Sequence, residues 1–330
     1  MLTNFAIIGC GRIAKRHAEQ IARLGNLKAV CDTNIDRAKE LADQYNATAY
    51  FSIDELLAAE KSIGVVSICT PNWLHAEHAI KALNAGNNVL CEKPLSIKVA
   101  DGKKMIQAAE KAGRRLFVVK QNRYNPPVIF LKNLIDTNTL GKIYSFQINC
   151  FWNRPETYYT SWKGKKELDG GTLFTQFSHF IDLLYWLLGD VADTKTITKN
   201  FAHPSIEFED TGIVLFTMKS GAIGSLNYSV NSFEKNMEGS ITIIAEKGTV
   251  KIGGEYLNEL AYCRVAGITA PDLPKGNTVN EYGSYQGSMS NHDKVYENLI
   301  KTLQDPTHSF AGADEGLKTV EIIERINEKA

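Results

Sequence analysis

Apolar positions along about the first 120 residues fall into two alternating patterns. Short runs dominated by Val, Ile and Ala lie near 5–9, 27–31, 64–69, 87–91 and 115–119, and longer amphipathic stretches lie near 12–24, 34–45, 73–85 and 98–112. Short continuous apolar runs predict strands buried on both faces, and the 3-4 spacing of Ala76, Ile80 and Leu83 predicts a core-facing helical stripe. Strand and helix in alternation predict a parallel sheet wound with helices, a doubly wound α/β domain.

After Gln121-Asn122-Arg123-Tyr124-Asn125-Pro126-Pro127 the pattern changes. It predicts a helix near 127–137, a long strand near 142–152, a polar aromatic-rich loop, an apolar helix near 172–188 and a series of strands from about 193 to 263. Thr211–Lys219 and Ala222–Asn231, joined through Ser220-Gly221, read as an antiparallel pair. Segment 267–290, rich in Gly, Pro and Asn, reads as irregular, and two helical patterns near 291–304 and 314–328 close the chain. The expected organisation is a doubly wound domain over 1–122, then an α+β domain over 123–330 with a large, mostly antiparallel open sheet. The last helix is allowed to pack back on the first domain.

Composition removes whole classes. At 330 residues the chain is too long for one ordinary core and suits two. Hydrophobic residues at 44% and charged residues at 22% are globular values, which excludes disordered, collagen-like and coiled-coil readings. Lys plus Arg (37) balances Asp plus Glu (37) with no segment of one sign, so neither nucleic acid nor an anionic membrane surface is expected as a partner. No apolar run reaches the roughly 18 residues that span a bilayer. The opening Met1-Leu2-Thr3-Asn4 lacks the cationic start of a secretory signal, so a soluble, cytoplasmic protein is expected. Cys10, Cys31, Cys69 and Cys91 end apolar runs and no C-x-x-C pair occurs, so they read as small buried hydrophobes, with no metal expected.

Gly9-Cys10-Gly11-Arg12-Ile13-Ala14 follows the first strand and opens the first helix, the context in which G-x-G-x-x-G/A cradles a dinucleotide. Gly9 permits the tight turn, Gly11 leaves room for a pyrophosphate, and Ala14 is small enough for helix and strand to pack. The helix N-terminus offers unpaired N–H groups to the phosphates. Asp32, eighteen positions beyond Ala14, suits the acid that binds the adenosine ribose hydroxyls. Thr33 and Asn34 bring no cation for a 2'-phosphate, and Arg37 reads as solvated on its helix, so NAD is expected over NADP.

Two further motifs sit at later strand ends, Cys69-Thr70-Pro71-Asn72 and Cys91-Glu92-Lys93-Pro94, where an open α/β sheet binds ligands. Lysine before proline cannot continue a helix, and an X-Pro bond can adopt cis, which would aim the ammonium into the cleft; the alternative is a surface lysine in a loop. In the later segment Asp169–Asp182, helical spacing puts Thr175, His179 and Asp182 on one face, so Asp182 can hydrogen-bond one ring nitrogen of His179. Taken alone, a histidine in so apolar a helix reads as a packed core residue.

Gly9–Ala14, Thr70-Pro71-Asn72 with His75, Glu92-Lys93-Pro94, and Gly170-Gly171 followed by His179-Phe180-Ile181-Asp182 resemble the Gfo/Idh/MocA oxidoreductase family over essentially the whole chain. The resemblance implies a Rossmann domain and an NAD-dependent dehydrogenase. It makes Lys93 catalytic, with a commonly cis peptide after it, and His179 its facing partner from the second domain. Amine and imidazole are then expected to converge over the reactive ring of the coenzyme. The implied cofactor residues are Gly9, Gly11, Arg12, Ile13, Asp32, Thr70, Pro71, Asn72, His75, Glu92, Lys93 and Gln121. Many sugar and inositol dehydrogenases of the family carry an aspartate four residues before this histidine; here it is Thr175, which leaves Lys93 and His179 as the proton-handling pair.

Asn153–Gly164 mixes aromatics, amides and cations, which suits a sugar, whose C–H faces stack on rings while polar groups meet its hydroxyls; the alternative is a solvated loop. With Gln121–Pro126 and Tyr285–His292 it resembles the sugar-nucleotide branch of the family, the UDP-N-acetylglucosaminuronate 3-dehydrogenases of surface-polysaccharide synthesis. That resemblance implies substrate contacts from Lys93, Arg123, Tyr124, Asn125, Arg154, Tyr159, Trp162, Lys163, Thr175, Gln176, His179, Asn291 and His292, with Arg154 or Lys163 meeting the uronate carboxylate. Oxidation of a free sugar or inositol, and a dinucleotide-binding regulator without turnover, are the alternatives. Apolar strands such as Ile213–Phe216 and Ile241–Ala245 need one sheet face covered; helices could cover it, but with the resemblance a homo-oligomer, dimer or tetramer, is expected.

Overall fold

The computed structural model describes residues 2–281, 283, 285–305, 307–308 and 310–329. The chain forms two compact units, one of residues 1–120 with 292–320, the other of 121–291 with 321–330.

The first unit is built on six parallel strands, β1 (Asn4–Ile8), β2 (Asn26–Cys31), β3 (Thr48–Tyr50), β4 (Val65–Ile68), β5 (Asn88–Cys91) and β6 (Leu116–Val118), in the order β3-β2-β1-β4-β5-β6. Between them run α1 (Arg12–Leu24), α2 (Ile35–Tyr45), α3 (Ile53–Ala59), α4 (His75–Asn84) and α5 (Val99–Ala112). Phe5, Ala6, Ile7, Val65, Val66 and Ile68 are all buried. Helices on both faces explain why these strands read as unbroken apolar runs. The chain reverses direction across the sheet between β1 and β4, which opens a crevice at their carboxyl ends. Two elements were not expected from the pattern. Edge strand β3 is three residues long and largely unburied, so it carries no apolar run, and short α3 announces itself only by Ser52, whose hydroxyl accepts the Glu55 N–H at 3.2 Å.

The second unit contains α6 (Pro126–Asp136), β7 (Ile143–Phe151), α7 (Lys166–Asp169), α8 (Thr172–Thr175), α9 (Ser178–Leu188) and the strands β8 (Val191–Lys199), β9 (Thr211–Met218), β10 (Ile223–Ser229), β11 (Glu238–Ala245), β12 (Gly248–Gly253) and β13 (Glu259–Val265). Their sheet runs β13-β12-β11-β7-β10-β9-β8, antiparallel throughout except for the parallel pair β7 and β10. The β9–β10 hairpin turns at Gly221, whose φ of +87° suits a residue without a side chain. Helix α9 is mostly apolar because it is mostly buried: Phe180, Ile181, Leu183 and Leu184 are fully enclosed, and Phe177 just before it meets Trp152 and Tyr228 at ring distances of 5.3 and 5.8 Å.

Two expectations need correction here. The single helix expected near 172–188 is two, because Phe177 (φ −113°, ψ 8°) leaves the helical conformation between α8 and α9. Segment 267–290 is not wholly irregular, since β14 (Val279–Glu281) pairs with β15 (Gln286–Met289). That ribbon is pinned by amides: Asn277 Nδ2 donates to the Ser290 carbonyl at 3.0 Å and Asn236 Nδ2 to the Gln286 carbonyl at 3.2 Å. Such contacts join residues far apart in sequence and leave no local pattern.

Helices α10 (His292–Gln304) and α11 (Ala313–Glu328) close the chain. Within the first unit α10 lies along α1, and its Tyr296 packs on Phe5 and His17. All six cysteines are free thiols and five are buried. Among the described residues no helix is long and apolar enough to cross a membrane.

Candidate active site

In the first unit the loop between β1 and α1 is shaped by two glycines with different tasks. Gly9 takes φ +92°, and a Cβ there would stand 2.8 Å from the backbone of Cys69 and Thr70. The turn after β1 therefore lies directly against the turn after β4. Gly11, the cap of α1, has nothing within 4 Å of a Cβ and no side chain closing the helix N-terminus. Asp32 is fixed beside it: Oδ2 accepts the Cys10 N–H and Oδ1 the Asn34 N–H, both at 2.8 Å. An open space over Gly11, uncapped helix N–H groups and a carboxylate at the end of β2 fit the pyrophosphate and ribose of a dinucleotide.

The ends of β4 and β5 are stitched together by His75. Its Nε2 lies 2.8 Å from the Thr70 carbonyl and its Nδ1 2.7 Å from the Pro94 carbonyl. Lys93 follows β5, half-buried, and the Lys93–Pro94 peptide is cis. Glu92 beside it is buried and held by two histidines, His17 of α1 and His292 of α10.

In the second unit a cluster forms around Arg154, which is only 2% exposed. Its Nε donates to Gln176 Oε1 at 2.6 Å, and Nη1 donates to the Asn153 carbonyl at 2.6 Å and to Asn236 Oδ1 at 3.2 Å. The guanidinium carbon stands 5.1, 5.5 and 4.9 Å from the ring centroids of Trp152, Tyr158 and Tyr285. Every one of these partners is neutral. Burial pulls the Arg154 pKa down from its ordinary value, as expected of an enclosed cation. Lys163 places its ammonium over the same tyrosines, 3.8 Å from the Tyr158 centroid and 5.6 Å from that of Tyr285. Tyr159 is edge-on to Tyr158, and Trp162 also faces Lys163.

His179, the second residue of α9, is buried. Thr175, four residues earlier, donates its hydroxyl to the Asp169 carboxylate, which also accepts the Gly164 N–H at 2.9 Å. A carboxylate is thus present in this corner, one hydrogen bond beyond the position where the sequence offers threonine.

Several residues grouped by sequence as substrate contacts have protein partners. Arg123 is buried and grips Asp182 of α9. Asn125 and Asn291 clasp each other at 2.7 Å, with Asn291 also on the Gln121 carbonyl and Asn125 on the carbonyls of Tyr256 and Leu257. Gln121 donates to Ser288 Oγ at 3.1 Å. His292 lies in the first unit, buried, with Nε2 3.2 Å from Glu92 Oε1. Tyr124 is half-buried beside Arg123. Sequence reasoning missed His17, Asn236 and Tyr256, each of which acts through a partner tens of residues away.

A doubly wound sheet with this loop and acid defines a dinucleotide-binding domain. Residues 3–120 match the model of an oxidoreductase family with an NAD-binding Rossmann fold, and residues 128–251 match the GFO/IDH/MocA C-terminal domain. The chain belongs to the GFO/IDH/MocA oxidoreductase family and is an NAD-dependent dehydrogenase. Over its whole length it is similar to the WlbA dehydrogenase of Chromobacterium violaceum, solved with NADH and UDP-GlcNAcA, at 35% identity and a TM-score of 0.89, covering 94% of that chain. The WlbA dehydrogenase of Bordetella pertussis, solved with the same two ligands, is equally similar at 35% and 0.89, with 97% of it covered. Glucose-6-phosphate 3-dehydrogenase of Bacillus subtilis is 25% identical over 99% of this chain and 96% of its own length.

Proposed function

We propose that this dehydrogenase oxidises a sugar hydroxyl, the C3 hydroxyl of UDP-N-acetylglucosaminuronate, in sugar-nucleotide synthesis for a surface polysaccharide. The observation that carries the reading is Arg154, a buried cation among neutral partners and aromatic rings. Enclosing such a charge is costly unless an anion meets it, and a uronate carboxylate is the anion this substrate brings. Tyr158, Tyr285 and Trp152 add ring faces suited to the pyranose. The full-length likeness to two dehydrogenases solved with UDP-GlcNAcA supports the same substrate.

NAD, held by the loop at Gly9 and Gly11 with Asp32, supplies the hydride acceptor when bound. The chain's own part is to orient the sugar, take the proton from the hydroxyl oxygen and hold the oxygen as it becomes a carbonyl. We assign these two tasks to Lys93 and His179; a positioned acid-base group is worth roughly a hundred- to ten-thousand-fold in rate. The apolar face of the seven-stranded sheet is read as the contact of a homo-oligomer. Turnover measured by NADH formation with UDP-GlcNAcA, neutral UDP-GlcNAc, glucose 6-phosphate and inositol tests the proposal. The acid is expected to exceed its neutral counterpart by at least about tenfold, the worth of a charge-assisted hydrogen bond, and to lose that advantage in Arg154→Gln. Equal turnover of acid and neutral sugar would remove the role given to Arg154, and turnover of inositol or glucose 6-phosphate alone would replace the substrate.

A further inference from the structure

Glu92 takes no part in the proton transfer described above, yet it is the most heavily engaged acid of the first unit. Its two oxygens do different work. Oε2 accepts the backbone N–H of Lys93 at 3.0 Å. Oε1 lies 2.8 Å from His17 Nε2 and 3.2 Å from His292 Nε2. His17 Nδ1 in turn lies 2.8 Å from the Tyr296 hydroxyl, and that hydroxyl 2.8 Å from Ser67 Oγ. All five side chains are buried.

The protons in this chain can be placed by elimination. An ionised carboxylate only accepts, so both Nε2 atoms that face it carry hydrogen. With Nε2–H donating to Glu92, the neutral ring of His17 presents Nδ1 as an acceptor, and Tyr296 donates to it. The Tyr296 oxygen is then free to accept from Ser67. Burial alone would favour the protonated acid, but the hydrogen bonds from His17 and His292 outweigh it and hold the Glu92 carboxyl well below the usual range. The result is a fixed negative charge with one orientation, set by α1 on one side and α10 on the other, and tied to the main chain of the residue that follows it.

We infer that Glu92 is a positioning residue for Lys93, and that His17 and His292 act through it. The inference rests on the reading of Lys93 as a proton-handling residue. A catalytic side chain is only as well aimed as its backbone, and a displacement of about 1 Å can cost about a hundredfold in rate. Glu92 ties down the peptide nitrogen of Lys93 from inside the unit, so the aim does not depend on a solvent-exposed loop. The three facing atoms of His17, Glu92 and His292 also lie within 4.8 Å of one another, a spacing open to a divalent ion. The two N–H to carboxylate distances account for both nitrogens without one, and the network ends in Tyr296 and Ser67 as a hydrogen-bond chain does.

The test is a double-mutant cycle on kcat with NAD affinity measured in parallel. Glu92→Gln keeps the shape and an acceptor for the imidazoles but cannot also accept the Lys93 N–H with its amide nitrogen. It is expected to lower kcat about ten- to a hundredfold, with NAD affinity held within about threefold. In a Lys93→Ala background the same change is expected to cost nothing further, because residues acting as one unit are not additive. His292→Gln, which retains an N–H donor, is expected to keep most of the activity that His292→Leu loses. A full further loss from Glu92→Gln in the Lys93→Ala background, or unchanged kcat in Glu92→Gln while Lys93→Ala is inactive, would overturn the inference and leave the reading of Lys93 standing. An active Lys93→Ala would remove that reading itself. One equivalent of zinc in the purified enzyme, with activity lost to a chelator, would assign these atoms to a metal and overturn the inference as well.

Discussion

Asp182 grips Arg123 through both carboxylate oxygens, with Nε at 2.8 Å and Nη2 at 2.7 Å, three residues after His179 on α9. The two side chains are 8% and 4% exposed, and the guanidinium also faces Trp186 at 4.9 Å. A bidentate buried pair is valuable mainly because breaking it leaves a charge enclosed without a partner. Arg123→Met is expected to cost about 3–5 kcal/mol of stability, read from the denaturant midpoint. A loss well under about 1 kcal/mol would show that Asp182 is not stranded by the change and that the pair is not structural.

Gly9 and Gly11 separate folding from cofactor binding. A Cβ on Gly9 meets Cys69 and Thr70 at 2.8 Å with φ at +92°, so Gly9→Ala is expected to lose roughly 1–3 kcal/mol or more from backbone strain alone. Gly11 has open space around it, so Gly11→Val is expected to fold with nearly unchanged Tm and to bind NAD at least about tenfold more weakly, because the added methyls stand in the path of the pyrophosphate. Calorimetric titration with NAD checks this, and normal NAD affinity in Gly11→Val would place the cofactor elsewhere.

Stability should fall with acid in two stages. Burial pushes the His17 pKa below its ordinary 6.5, against the opposing pull of Glu92. The unfolded chain therefore takes up that proton near pH 6.5 while the folded protein resists it, so the contribution of His17 is complete above pH 6.5 and declines as pH drops toward the folded value. Glu92, held well below 4.5, acts in the same direction at lower pH: its contribution is present above about 4.5 and is lost as the folded carboxylate is protonated. Thermal unfolding between pH 8 and pH 4 is expected to show a Tm that falls below about 6.5 and more steeply below about 4.5. A Tm that rises on going from pH 7 to pH 5 would contradict the neutral His17.

The sheet of the second unit carries an exposed apolar face, the surface proposed above for a second copy. Ile197, Ile213, Leu215 and Ile223 are 75%, 48%, 53% and 59% exposed, and Ile197 and Ile213 are direct cross-strand neighbours. Along β9 they alternate with buried Val214 and Phe216, so they share the face turned away from the core. Large apolar patches of this kind mark association. Light scattering on the purified protein is expected to give a dimer or tetramer, and Ile213→Glu with Leu215→Glu a monomer; a monomeric wild type would sink the assignment.

The wound sheet is legible in the sequence because its central strands are enclosed on both faces, which writes them as unbroken apolar runs, and because the glycine loop and Asp32 need particular residues at particular spacings. Lys93 and His75 are legible for the same reason, as short motifs at strand ends. What the sequence hides is partnership at a distance. Arg154 is bonded to Asn236, 82 positions away, and His292 to Glu92, 200 positions away, and no periodicity records either contact. Thr175 in place of an acid reads as an absence until Asp169 is found behind it. Edge strand β3 fails for a simpler reason, being three largely unburied residues.

The central claim is that Lys93 handles the proton of the hydroxyl being oxidised. The most direct measurement is the rate of NADH formation from UDP-GlcNAcA by the wild type and by Lys93→Ala, with NAD binding titrated for both. The account predicts a rate lower by roughly a hundred- to ten-thousand-fold with NAD affinity unchanged within about threefold. A variant that turns over at close to the wild-type rate, or that fails only because it no longer binds NAD, would contradict it.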